Sequence, residues 1–343
     1  MVGRVMILVS FCLAILAGQP ARAATPPATQ LKVVVANNQT VFRISDQPQM
    51  PTVVADAQVT PARDLSKVQF RWTAQLRFTG QETPHGKPGT PLDIVKTTTG
   101  GHLVINPADW GKIRGGLLTL AVTTTLDAKS YGAQVGGLSI LGTNPPLATL
   151  RAALGTDVLR RIANFESTFL QFGNDGWPHF SADNLGGAGI MQITPATEDQ
   201  WWNWRTNVQA GVGVYQDRYR LAATYVQSLE DSQQFGALVA AYNHGRSLQH
   251  LPPLMIAVPD FTAEQQMMDA IRGYNGWAGI DPIVPYLHLH EFRLARDAAG
   301  QLRVTVIPGT TMAMAIWERV PASARPQGIG DPDYVNHVLA RSP

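Results

Sequence analysis

The chain of 343 residues is almost without cysteine: the single one, Cys12, sits inside an apolar run at the N-terminus. Disulfide stapling is therefore excluded, and thiolate catalysis goes with it once that run is removed. Charge is scarce too, at 15% Asp, Glu, Lys and Arg. The formal balance is +2, and losing Arg4 and Arg22 with the first segment leaves 25 basic residues against 25 acidic ones. A nucleic-acid binder carries a basic excess or stripe; this sequence has neither. Beyond the first segment no apolar stretch approaches the roughly 20 residues that span a bilayer. There is no phosphate-cradling glycine loop and no Ser-His-Asp constellation.

What is present is apolar and loop-rich. Apolar residues make up 45%, with eight Trp, which rules out a disordered chain, while 31 Gly and 24 Pro call for many turns. The length suits two domains. Residues 1–23 begin with Arg4, run apolar through 5–17, and close with Ala21-Arg22-Ala23. A cationic start, a short apolar middle and an Ala-x-Ala end describe a secretory signal peptide. The mature protein is thus expected in the periplasm or outside the cell, with no membrane span. Val9-Ser10-Phe11 ahead of Cys12 lack the small residues of a lipoprotein cleavage site.

The dominant period from 31 to 143 is two. Val68, Phe70, Trp72, Ala74, Leu76 and Phe78 alternate with Gln69, Arg71, Thr73, Gln75 and Arg77, the pattern of a strand with one buried face. Further strands are expected at 33–35 and 118–123, with Gly/Pro-rich turns such as 86–91 between them. This predicts an all-β domain of immunoglobulin-like sandwich type, serving as a binding or spacing module. Around Asn144-Pro145-Pro146 the period changes. Val158, Leu159, Ile162 and Phe165 recur at helical spacing behind Thr156 as N-cap. A longer helix is expected from Asn207, and others at 235–243 and 262–272. Alternation returns at 288–294 and at Leu302, Val304 and Val306, which predicts a β-hairpin over about 286–307. The fold class is α+β in two domains: the sandwich at 31–143 and a mainly helical domain at 147–343.

Glu166 ends an apolar helix and precedes a glycine-rich loop. A carboxyl in that position, desolvated by apolar neighbours, stays protonated near neutral pH and can act as a general acid; otherwise it is a surface group paired with Arg160 or Arg161. Four segments carry the argument past that ambiguity: Phe165-Glu166-Ser167-Thr168-Phe169, then Gly189-Ile190-Met191-Gln192-Ile193-Thr194-Pro195, then Asn207-Val208-Gln209-Ala210-Gly211, then Ala240-Ala241-Tyr242-Asn243-His244-Gly245. Together, in this order over 147–276, they resemble the catalytic domain of lytic transglycosylases. Tyr274-Asn275-Gly276 and Tyr334-Val335 resemble that family's closing elements.

The resemblance implies a lysozyme-like helical fold that cleaves the β-1,4 bond between N-acetylmuramic acid and N-acetylglucosamine in peptidoglycan. Glu166 would protonate the leaving oxygen and then serve as base while the muramyl 6-hydroxyl closes a 1,6-anhydro ring. Ser167, Gly189, Met191, Gln192 and Thr194 would line the sugar site. Tyr242 and Asn243 would face it, with Tyr242 holding Glu166 or the sugar. Neither metal nor organic cofactor is implied. The expected partners are glycan strands of peptidoglycan and, through the β-domain, a protein.

The loop between Glu166 and Gly189 is longer than in typical soluble transglycosylases, and with Asn174-Asp175-Gly176-Trp177 it resembles goose-type lysozymes, which hydrolyse the same bond. Those carry an acid where this chain has Thr194. An inverting hydrolase needs a second carboxylate to activate water, and Asp175 and Asp183 are the candidates. Trp177, Trp201, Trp202 and Trp204 either stack on sugar rings or pack in the core. His288 and His290 share a strand face without a third metal ligand, and are read as surface. Three readings remain open: a transglycosylase, a goose-type lysozyme-like hydrolase, and a non-catalytic wall-binding or assembly protein.

Overall fold

The computed structural model describes residues 28–183, 185–277, 290–325 and 330–343; the expected signal peptide and His288 lie outside them. Sheets fill the N-terminal half and helices dominate the C-terminal half. Eight strands come first: β1 (Gln30–Val35), β2 (Val41–Arg43), β3 (Val53–Thr60), β4 (Gln69–Arg77), β5 (Leu92–Thr99), β6 (His102–Ile105), β7 (Gly116–Leu126) and β8 (Lys129–Leu141). They form two sheets, of order β1-β3-β6 and β2-β8-β7-β4-β5. The alternation along β4 fixes which face turns inward: Phe70, Trp72, Ala74 and Leu76 are buried, while Gln69, Arg71 and Gln75 are exposed. Inward residues of both sheets, among them Val53 and Ala55 of β3 and Leu118 and Leu120 of β7, share one apolar core.

That core does not stop at the sheets. Phe78, just past β4, stacks on Trp177 at 5.8 Å and on Phe180 at 6.4 Å between ring centroids, and meets Trp201 and Trp202 edge-on at 6.2 and 5.4 Å. Phe172, Ala188, Trp201 and Trp202 belong to the same buried cluster as the sandwich. Asn144, in the expected linker, accepts the N–H groups of Gln171 and Phe172 at 2.9 Å and donates to the Phe172 carbonyl at 2.8 Å. The Pro-rich segment is therefore a fastened joint, and the two halves share packing across it.

The helical half contains α1 (Leu147–Leu154), α2 (Asp157–Ser167), α3 (Glu198–Trp202), α4 (Trp204–Glu230), α5 (Gln233–Leu248), a short strand β9 (Met255–Ala257) and α6 (Ala263–Arg272). Thr156 caps α2 as expected, accepting from Leu159 N, and Thr262 caps α6 in a capping box with Gln265. The long helix begins at Trp204, three residues before Asn207, because the Asn203 side chain accepts from Arg205 N and caps it there. No helix among the described residues is long and apolar enough to cross a membrane.

The hairpin expected over about 286–307 is a larger construction. Four more strands follow α6, namely β10 (Phe292–Leu294), β11 (Val304–Val306), β12 (Met312–Ala315) and β13 (Trp317–Arg319), and α7 (Tyr334–Leu339) closes the chain. A tip with one antiparallel bridge, Arg296 to Leu302, does occur. Its arms then part: β10 pairs with β13, and β11 joins β12 and β9. The reason is burial, since Leu294, Leu302 and Ala315 pack with Val226, Phe235 and Val258, and a lone hairpin could not cover that face. The described part of the segment also holds Glu291, fully buried, paired with Arg325 at 2.7 Å and with Arg319.

Candidate active site

Glu166 lies in the last turn of α2. The helix stops immediately after Ser167 because Thr168 and Phe169 both take positive φ, 53° and 65°, with Thr168 N bonded back to the Asn164 carbonyl at 3.0 Å. This reversal turns the end of α2 toward the following loop. Ser167 is buried and its hydroxyl donates to the Ile190 carbonyl at 2.8 Å while accepting Leu170 N at 3.1 Å. Ser167 therefore ties the acid-bearing helix to the Gly189–Gln192 loop and presents no free hydroxyl.

Two buried amides set that loop. Asn207 of α4 accepts Met191 N at 2.9 Å and donates to the Ala188 carbonyl at 2.8 Å. Gln171 donates to the carbonyls of Gln200 and Trp201, both at 2.8 Å, and presents its Oε1 to Ile190 N at 3.4 Å. Between them runs Gly189 at φ +74°, where an added Cβ would stand 2.6 Å from both Asn207 Nδ2 and Gln171 Oε1. Only glycine fits. Met191 is fully buried against Gly211 of α4, whose hydrogen leaves the space that the Met191 side chain fills. Met191 thus acts as a peg beneath the loop and offers no open face. Gln192 has φ 45°; its Nε2 donates to the Gly189 carbonyl at 2.9 Å, and its buried Oε1 has no hydrogen-bond partner among the described residues. Thr194 is exposed and its hydroxyl donates to the Gln192 carbonyl at 3.3 Å.

The group that holds Glu166 comes from the far end of the chain. Tyr334, first residue of α7, donates its hydroxyl to Glu166 Oε1, and its buried ring stands edge-on to Phe165 at 5.2 Å. Tyr274, following α6, donates to the Met191 carbonyl at 2.7 Å. Both phenols are pushed well above 10 by burial and by the glutamate's charge, so both stay neutral donors. Glu166 itself is pushed up from 4.5 to about 7. Desolvation is the largest cause, the Asp183 charge adds to it, and the Tyr334 hydrogen bond opposes both. The side chain remains partly exposed, so the carboxyl is closely walled but not sealed from solvent.

Compared with protein-family models and with curated proteins, the chain gives no significant match to either. The chemistry of the site rests on its own geometry.

That geometry rearranges several expectations. Tyr242 does not hold Glu166: it packs on α5 against the separate cluster of Val226, Phe235 and Leu294, and Tyr334 occupies the role foreseen for it. Asn243 accepts Leu254 N at 2.9 Å and donates to the Leu254 carbonyl at 3.0 Å, which pins the turn after α5. Trp201, Trp202 and Trp204 are buried, so their faces serve packing and cannot stack on a sugar. Trp177 is half-buried on Phe78. The two candidate second acids also separate. Asp175 accepts Trp177 N at 3.1 Å and shapes its own turn. Asp183 stands within electrostatic reach of Glu166, and its own carboxyl is held below the usual range, chiefly by the Ser181 hydroxyl. His290 is occupied by Asp269 at 2.9 Å and stacks on Tyr225 at 3.5 Å between centroids.

Proposed function

We propose that this chain is an exported lytic transglycosylase of peptidoglycan, with a lysozyme-like helical domain behind an immunoglobulin-like sandwich. The observation that carries the reading is Glu166: a carboxyl raised to about 7 by desolvation at the partly open end of a helix, with the hydroxyl of Tyr334 donating to it. Such a group can protonate the oxygen between N-acetylmuramic acid and N-acetylglucosamine. The C1–O bond breaks as the proton moves to the leaving sugar. The resulting Glu166 carboxylate then accepts the proton of the muramyl 6-hydroxyl while that oxygen bonds to C1, giving the 1,6-anhydro product without water. One acid/base and an internal nucleophile complete the reaction, so it calls for neither metal nor cofactor.

One observation favours a second reading. Glu166 raised and Asp183 lowered is the pattern of an acid beside an ionised carboxylate, which a goose-type hydrolase would use to direct water. We rank it second because Asp183 already accepts Leu185 N at 2.9 Å within its own turn.

Mass spectrometry of soluble products from purified sacculi, treated with the mature protein or with Glu166→Gln, tests both. Muropeptides ending in 1,6-anhydromuramic acid, lost in the variant, are expected. Reducing ends heavier by one water would establish the hydrolase. Binding without products from either protein would leave the wall-binding reading.

A further inference from the structure

The β4–β5 loop, residues 78–91, leaves the sandwich and reaches the loop that follows Glu166. Its anchors are firm. Phe78 is held in the aromatic cluster of Trp177, Phe180, Trp201 and Trp202. At the other end Thr90 donates both its N–H, at 2.5 Å, and its hydroxyl, at 2.7 Å, to Glu198 of α3. Glu198 is fixed in turn by Arg114 at 3.0 Å. Within the loop, Gly89 N bonds to the Phe78 carbonyl at 2.8 Å and Gly86 N to the Thr83 carbonyl at 3.2 Å.

So held, the loop delivers two basic side chains to the candidate site. Lys87 lies on Gly186, where an added Cβ would stand 2.3 Å from its Nζ. His85 is close enough to Asp183 to contribute to the lowering of its carboxyl, and Asp183 in turn is felt by Glu166. The nearby acids are otherwise engaged. Glu82 accepts Thr79 N and the Thr79 hydroxyl, and Glu198 holds Thr90 and Arg114. Lys87 is exposed, and no carboxylate among the described residues pairs with it.

We propose that this loop of the sandwich forms one wall of the substrate cleft, with Lys87 as the recognition point for a carboxylate carried by the glycan strand. The inference rests on the reading of the chain as a glycan-cleaving protein and gives the β-domain a direct part in the site. The carboxylate belongs either to the stem peptide or to the lactyl group of a muramic acid stripped of its peptide. The two share one chemistry, an anion beside the sugar ring that an ammonium can meet at the rim of the cleft.

The test is binding, measured in the Glu166→Gln background so that no ligand is consumed. Three soluble ligands are compared: glycan strands with stem peptides, the same strands stripped by an amidase, and uncharged chitin oligomers. Lys87→Ala is expected to weaken binding of a carboxylate-bearing strand about threefold, as for one exposed ion pair. Lys87→Glu should weaken it further and Lys87→Arg restore it, with chitin oligomers bound as before throughout. Loss on peptide-bearing strands alone assigns the anion to the stem peptide, and loss on stripped strands assigns it to the lactyl group. Equal loss on chitin oligomers, no loss on any ligand, or the same loss from Lys129→Ala at the far β7–β8 turn would overturn the proposal. Strands that are bound but never cleaved by the parent protein would sink the enzyme reading alone, because the Lys87 comparison does not depend on turnover.

Discussion

Glu166 has an ordinary carboxyl value of 4.5 before folding and about 7 after it, because packing at the end of α2 strips water from its charged form. Folding raises the value, so the native state holds the proton more tightly than the unfolded chain does. The stability gained is complete below about 4.5 and disappears as pH rises through about 7. Glu166→Gln removes that dependence. In urea titrations the variant is expected to be more stable than the parent at pH 8, by about 2–3 kcal/mol. The advantage should fade toward pH 4.5, and a constant difference across that range would contradict the buried-acid account. Cleavage by the parent should decline as pH passes upward through about 7. Tyr334→Phe removes the one hydrogen bond that lowers the Glu166 value. Its rate should fall about tenfold, with the declining limb moved to higher pH. Tyr242→Phe should leave that limb in place, since its ring packs elsewhere. A shift in the second variant rather than the first would reinstate Tyr242.

The loop from Ala188 to Gln192 owes its shape to groups on other elements. Asn207 satisfies a buried donor and a buried acceptor on it at once, so Asn207→Ala leaves both Met191 N and the Ala188 carbonyl without partners. The expected loss of stability is about 2–4 kcal/mol, read from the denaturant midpoint. A loss below about 0.5 kcal/mol, the range of an ordinary surface change, would mean that the clamp is unimportant. Local pattern made much of this half readable. The Thr156 cap, the apolar spacing of α2 and the place of the helix over 262–272 were evident from nearest neighbours along the chain. The Gly-rich segment was visible as a loop, but nothing in its own residues says that Gln171 and Asn207 hold it.

On the scale of the whole molecule, the shared core makes the halves interdependent. Phe78 supplies the sandwich side of the aromatic cluster, and Phe78→Ala should cost about 3–5 kcal/mol. Calorimetry of the parent should show a single unfolding transition. Two separate transitions, with the variant affecting only the first, would mean that the sandwich and the helical half fold independently.

The sequence by itself determined the periodicities: strands through the first half, helices through the second, the inward face of β4, and Glu166 at a helix end beside a glycine-rich loop. These depend on residues a few positions apart, whose burial follows the period of the backbone. Only the tertiary structure decided what meets what. It brought Tyr334 across 168 positions to Glu166, set Tyr242 and the buried tryptophans into packing, and laid the β4–β5 loop against the glycine-rich segment at Gly186. Such encounters depend on how the faces of separate elements close over a common core, and periodicity along the chain carries no record of that closure.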